Sequence, residues 1–331
     1  MRLSGERIRE FALGAARVEE RADGIVFHRF LEEERECYRA NAASLVRSYS
    51  GSGIVLDFVT DARSFSFDAR LSPASSRNWG FFDLEIDGLL AFHIGSGDVK
   101  SAPDVRFSAP FDGGRHHCTL HLPQLACAAL RNVELEGATF AEARPRRCRI
   151  LFYGDSITQG YDAKYPSLTY AARLAAEFDA EIRNKAIGGD TFRPELLAAP
   201  QPEWIPDLIV TAYGTNDWAR CAETVFRQRA TAFFAALGRI YPGIPVAALQ
   251  PIWRADGNRC TAAGTFGDAA RIVTEAARSN PDAVVIPGLK LVPHLTEFFA
   301  DGQVHPDDLG FTFYAKNLIR ELRAAGLPRP R

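Results

Sequence analysis

Four short stretches of the chain carry residue types that could together transfer an acyl group. GDSITQG, residues 154–160, sets Ser156 directly after an apolar run, where a strand would hand over to a helix and backbone N–H groups would face a cleft. A serine hydroxyl there is a nucleophile only if a base takes its proton. The bland readings are a helix cap or a phosphate-binding turn. Neither GxxxxGKS/T nor GxGxxG accompanies it, and Thr158 stands where a GxSxG elbow needs its second glycine. NKAIGGDT, residues 184–191, offers Gly188 and Gly189, whose missing side chains let the backbone approach a ligand and turn an N–H toward it. AYGTNDW, residues 212–218, offers the Asn216 amide, although a lone Asn or a Gly-Gly pair is more often a plain turn. FFADGQVHPDDLGF, residues 298–311, offers His305 as a base. Acyl transfer needs a nucleophile, a base and at least two donors aimed at the developing oxyanion, and these four stretches supply that set.

The elements that must position them are legible in the periodicity. After Arg149, apolar runs near Arg149 to Tyr153, Glu181 to Lys185, Asp207 to Ala212, Pro245 to Leu249 and Ala283 to Ile286 read as five strands. Between them lie amphipathic stretches: SLTYAARLAAEF, for which Ser167 is the expected cap, TVFRQRATAFFAALGRIY and FGDAARIVTEAARS. Such alternation predicts a mostly parallel sheet covered on both faces, with the site beyond the carboxyl ends of its strands. That places the loops after Tyr153, Ala186 and Tyr213 together. From about Gly24 to Leu135 the pattern is instead period two, in GIVLDFVT, SFSFDARL, FFDLEIDG, LLAFHIGSG and HHCTLHLP, which predicts an all-β sandwich or jelly roll. Asp87 and Gly88 fit the positive-φ positions of a tight hairpin. The basic EARPRRCR, Glu142 to Arg149, reads as a linker between an N-terminal unit, residues 1–145, and a second unit, residues 146–331.

The totals narrow the function classes. The chain has 331 residues, a formal charge of −2 and no concentrated basic patch, which argues against nucleic acid or an acidic membrane as the main partner. Neither a signal peptide nor a bilayer-spanning segment is visible, and the six cysteines lack a CxxC, so buried free thiols and a cytoplasmic location are expected. His117 and His121 share a strand face but stand roughly 13 Å apart at strand rise, too far to chelate one ion. Asp155 and Asp190 are expected to brace loops. Among the aromatics near the blocks, Tyr153, Tyr161, Tyr213, Trp218 and Trp253 could be core or cleft, and Trp218, directly after the Asn216 loop, is the preferred cleft residue.

The order of GDSITQG, GGDT, GTND and HPDDLG resembles the conserved blocks of the SGNH, or GDSL, hydrolases, from Arg149 onward, although the first block reads GDSI. QPIWR, Gln250 to Arg254, also looks like the segment after the fourth strand in some members. The resemblance implies a flavodoxin-like three-layer α/β/α fold and ester hydrolysis without metal or cofactor. It implies Ser156 as nucleophile, His305 as base, and an oxyanion hole from the Ser156 N–H, the Gly189 N–H and the Asn216 amide; Gly188 could supply the glycine N–H instead. A sandwich ahead of a GDS block is similar to two-domain members, including carbohydrate deacetylases and an acyltransferase, and implies a small-molecule or carbohydrate ester with a small acyl group such as acetyl. Water and a second alcohol are both open as acceptors. A carbohydrate-binding protein without catalysis is the reading of a different class.

The acid behind His305 is the open question. Asp307 and Asp308 suit the cap and first turn of the last helix, where a negative charge favours the helix dipole. The family pattern puts the acid three residues before the histidine, yet Gly302 stands there and Asp301 lies one residue further back. The expectation is a bulged loop through which Asp301 still reaches the imidazole; the alternative is a Ser156–His305 dyad steadied by a backbone carbonyl.

Overall fold

The computed structural model describes residues 1–198 and 204–328. Its N-terminal part is two antiparallel sheets packed face to face. One has the order Ala12–Leu13, Val55–Thr60, His116–His121, Gly80–Ile86, Leu89–Ser96, with Ala141–Ala143 paired to Val55–Thr60. The other runs Arg17–Arg21, Gly24–His28, Ala126–Glu136, Ser64–Pro73, Asp104–Pro110. Strand alternation does what it should: Phe65, Phe67, Ala69 and Leu71 all point inward and are buried, and Phe67 meets Phe107 and Phe82 in the core. Asp87 and Gly88 take φ values of 52° and 81°, the expected hairpin turn.

The five strands after the linker form a wholly parallel sheet: β1 (Cys148–Gly154), β2 (Ala180–Asn184), β3 (Leu208–Ala212), β4 (Val246–Leu249) and β5 (Ala283–Ile286), in the order β2-β1-β3-β4-β5. That is the flavodoxin-like order. Successive residues of β1 feed opposite faces. Ile150 and Phe152 join a cluster with Tyr170, Phe311 and Leu318, while Leu151 and Tyr153 join one with Phe233, Ile272 and Trp218. The helices follow: α1 (Tyr170–Glu177) packs with α4 (Asp308–Ala324) on one side, and α2 (Glu223–Ile240) with α3 (Phe266–Ala277) on the other. No helix among the described residues is long and apolar enough to cross a membrane.

The α1 cap differs from expectation. Thr169, not Ser167, accepts from the Ala172 N–H, and Ser167 lies in a 3-10 turn with its N–H and hydroxyl both donating to Asp83 of the sandwich, at 2.9 and 2.6 Å. A second contact between the two parts is the predicted linker. Arg146 donates to Asp57 of the sandwich at 2.6 Å and to Asp179 before β2 at 3.3 Å, so this basic run is pinned rather than loose.

A third contact was invisible in sequence. Residues 29–53, between two sandwich strands, leave that unit and dock on the end of β2. Arg29, fully buried, uses its fork on the carbonyls of Ser50, Asn184, Ala186 and Arg47 and on the Ser50 hydroxyl, five hydrogen bonds in all. Burial pulls its pKa down to about 9; a guanidinium so surrounded by oxygens stays charged. Beside it Lys185 and Glu34 form a buried ion pair at 2.6 Å. Breaking such a pair from one side strands a charge, which costs about 3–5 kcal/mol. Glu34→Ala is therefore expected to lower the unfolding free energy by that order in urea titrations, and Glu34→Ala with Lys185→Met to recover part of it.

Candidate active site

β1 ends in a turn that needs its glycine: a Cβ on Gly154 would stand 2.4 Å from the Thr158 hydroxyl. Asp155 then caps the short helix Ser156–Gln159 by accepting from the Ile157 N–H at 3.0 Å. Ser156, 6% exposed, emerges at the strand end with its own N–H at the helix start, outside the intrahelical ladder. Burial pushes the Asp155 carboxyl up to about 7. Its second oxygen lies 3.4 Å from the Asn216 amide nitrogen, which also donates to the Asp190 carbonyl at 3.0 Å. Asp190, as expected of a brace, takes the Tyr38 hydroxyl and the Arg193 fork.

The glycine pair divides its labour. Gly188 donates its N–H to the Gln159 side chain at 2.7 Å, so that N–H is occupied. A Cβ there would also strike the Tyr161 ring at 2.8 Å. Gly189, at φ 80°, keeps its N–H free of partners among the described residues. The carbonyl of the same peptide unit, Gly188 O, accepts from Arg47 at 2.7 Å. In a trans peptide the N–H points the opposite way, so an arginine of the N-terminal part sets the direction of the Gly189 N–H.

His305 closes the site. Its Nε2 accepts from the Ser156 hydroxyl at 2.8 Å, and its Nδ1 donates to Asp301 Oδ2 at 2.7 Å. The extra residue is absorbed as a bulge: Gly302 takes φ 65°, and Asp301 Oδ1 accepts the N–H groups of Gln303, Val304 and His305. Burial alone would raise the Asp301 pKa. The hydrogen bonds from His305 and from those three N–H groups outweigh it and hold the carboxyl well below the usual carboxylate range. Asp307 caps α4 through the Gly310 N–H, and Asp308 accepts from Lys164 and Tyr165, so neither meets the imidazole.

Two groups that sequence reasoning missed also reach the site. Asp162, at φ 68°, lies 3.4 Å from His305 Nδ1, but Arg77 of the sandwich grips both its oxygens at 2.6 Å. Asp162, Asp301 and His305 are near enough to share an ion; the Arg77 fork already takes both oxygens of Asp162, and the His305 Nδ1 that faces the two carboxylates is engaged with Asp301. Gln159, fully buried, bonds both Gly188 and the Ser50 hydroxyl and thereby ties the first block to the second and to the docked segment. It lies within GDSITQG itself. Arg77 and Arg47 had no local signal.

The expected cleft aromatics are corrected. Trp218 is fully buried, donates to the Gly264 carbonyl at 3.0 Å and packs on Phe266 between Arg254 and Arg259. Tyr213 is core against Phe192 and Phe233. Trp253 stacks on His294 and meets the Phe299 ring at a tilt, away from the cavity over Ser156. Their apolar faces were better used behind the loops than in front of them. That cavity, about 330 Å³, is lined instead by Tyr161, Ala219, Val304 and several arginines.

Residues 152–312 match the GDSL-like lipase/acylhydrolase family. That region is therefore a GDSL-like, SGNH-type hydrolase domain built on the parallel sheet, and the antiparallel sheets precede it in the chain. No curated protein matches it in sequence. In fold it is similar to a salicylyl-acyltransferase from a tetracycline biosynthetic pathway, at 20% identity and TM-score 0.81, covering 97% of this chain and 96% of that one. It is also similar to a family two carbohydrate esterase from Cellvibrio japonicus, at 15% identity and TM-score 0.69, covering 98% and 97%. A family two carbohydrate esterase from Clostridium thermocellum, solved with cellohexaose, gives 15% and 0.65, covering 95% and 98%.

Because the folded state depresses the Asp301 pKa, its contribution to stability is full above the unfolded value of about 4 and is lost as pH falls through the lower folded one. Asp301→Asn is expected to cost about 1 kcal/mol at pH 7. The gap from wild type, measured by urea unfolding, should narrow below about pH 4.

Proposed function

We propose that the protein is a serine esterase that removes a small acyl group from a carbohydrate or other small-molecule ester, with Ser156 as nucleophile, His305 as base and Asp301 as the acid that orients it. The observation that carries this reading is the unbroken chain from the Ser156 hydroxyl through His305 to Asp301, at 2.8 and 2.7 Å, beside a glycine N–H with no partner among the described residues. His305 Nε2 takes the Ser156 proton as Oγ bonds to the ester carbonyl carbon. The carbonyl π pair moves to oxygen, where the Ser156 N–H, the Gly189 N–H and the Asn216 amide receive it. The C–O bond to the alcohol then breaks, and the alcohol leaves with the proton from His305. Water, deprotonated by the same imidazole, repeats the addition and frees the acid and Ser156. Asp301 stays ionised, accepts the Nδ1–H of His305 throughout and stabilises the imidazolium.

A cavity of about 330 Å³ suits a small acyl group. The fold likeness to carbohydrate esterases and to an acyltransferase makes acetylated sugars and acyl transfer the first chemistries to try. No metal or cofactor has a step in this sequence. The second unit is proposed to begin near residue 146.

With 4-nitrophenyl acetate and a panel of acetylated glycans, Ser156→Ala is expected to abolish turnover. Asn216→Ala should lower kcat by about a hundredfold or more, the usual cost of one oxyanion donor. No turnover in the wild type across acyl lengths would favour a binding protein. Acyl transfer outrunning hydrolysis in the presence of an added alcohol would instead favour a transferase.

A further inference from the structure

Arg47, Arg77, Arg220 and Arg254 line the cavity over Ser156, and among the described residues no carboxylate side chain does. Two of them are neutralised: Arg77 by Asp162 and Arg254 by Asp256. Arg47 and Arg220 have no ion-pair partner among the described residues. Each makes a single side-chain hydrogen bond among the described residues, to adjacent carbonyls of the glycine loop: Arg47 Nη1 to Gly188 O at 2.7 Å and Arg220 Nη1 to Gly189 O at 3.0 Å. They come from distant parts of the chain yet flank one residue, since a methyl group on Gly189 would lie 3.5 Å from Arg47 Nη1 and 3.4 Å from Arg220 Nη1.

Bracing the loop explains one donor on each side chain. It does not explain the charge, because a neutral amide would donate to a carbonyl without repulsion between two cations. Each guanidinium has further N–H donors in a planar fork that matches the oxygens of a carboxylate or phosphate. Placed beside the Gly189 N–H, these donors sit where part of a bound ester must pass.

We propose that the substrate carries an oxyanion, a carboxylate or a phosphate, close to its ester carbonyl, and that Arg47 and Arg220 bind it. The proposal takes Ser156 as the nucleophile and adds the class of substrate. Neutral acetyl sugars are then poor substrates, and the acetyl or other small acyl ester of an acidic molecule is a good one.

The test compares matched acetyl esters that differ only in charge: 4-acetoxybenzoate and 4-acetoxyphenyl phosphate against 4-acetoxybenzamide. A second pair, the mono-4-nitrophenyl ester of succinic acid against 4-nitrophenyl butyrate, puts the charge on the acyl side. At low salt at least one anionic ester should exceed its neutral match in kcat/KM by about tenfold or more, the order of a charge-assisted hydrogen bond. That ratio should fall as salt screens it. Arg47→Gln and Arg220→Gln should each reduce the ratio, and Arg220→Lys should keep part of it. Using the ratio cancels any general loss from disturbing the glycine loop. Separately, Ser156→Ala protein should bind the anionic products by calorimetry, and more weakly once Arg220 is also Gln.

Turnover without charge preference, and product binding indifferent to the arginines, would overturn the proposal and leave the esterase reading intact. Arginine-dependent binding without turnover of any ester would support the anion site and sink the esterase reading instead. The carboxylate and phosphate arms show which anion fits.

Discussion

One carboxylate has two jobs that must be done at once. Asp301 holds a bulged loop together through one oxygen, which takes three backbone N–H groups, and aligns the His305 imidazole through the other. Both jobs need the ionised form, since only a carboxylate accepts at both oxygens, and the same hydrogen bonds keep it ionised. Backbone bonds add to this, with the Ala255 N–H on the Gln303 carbonyl and the Ala300 N–H on the His305 carbonyl. The loop is moored by the pairing of Phe299 with Pro306 on one side and by the Asp307 cap of α4 on the other. If this carboxylate were neutral, the imidazole would lose its orientation and the loop its centre.

The rest of the molecule reads as support for the serine's side of that contact. The parallel sheet delivers Ser156, Gly189 and Asn216 at the carboxyl ends of β1, β2 and β3, as the topology requires. The N-terminal unit completes the site: Arg47 turns the Gly188–Gly189 peptide, Ser50 holds Gln159, and Arg77 takes the carboxylate nearest to Asp301's own position. The buried fork of Arg29 is what lets this happen, because it joins the carbonyls of Asn184 and Ala186 to those of Arg47 and Ser50 in one hydrogen-bonded knot. The sandwich is therefore a wall of the cavity and not an appendage.

The legible part of the sequence was the part written in short-range pattern. Apolar runs fixed β1 to β5 within about a residue, and the loop blocks named the side chains that converge. Asp301 could be read across the extra residue because Gly302 supplies the positive φ a bulge needs. The strand Ala126–Glu136 escaped notice because a bulge between Arg131 and Glu134 breaks its alternation and its alanines carry little strand signal. Arg29, Arg47, Arg77 and Glu34 escaped for a different reason. Charged residues in an unpatterned segment read as solvated surface, and only long-range partners make them structural. Trp218 and Tyr213 failed in the other direction, since closeness in sequence to a motif does not say which face of the loop a ring occupies.

The claim that Ser156 is the nucleophile, primed by His305 and Asp301, is tested most directly by covalent trapping. A fluorophosphonate added to the native protein should give one adduct by intact mass, located on the peptide containing Ser156, with labelling slowed in Asp301→Asn. No adduct, or an adduct on a different residue, would contradict it.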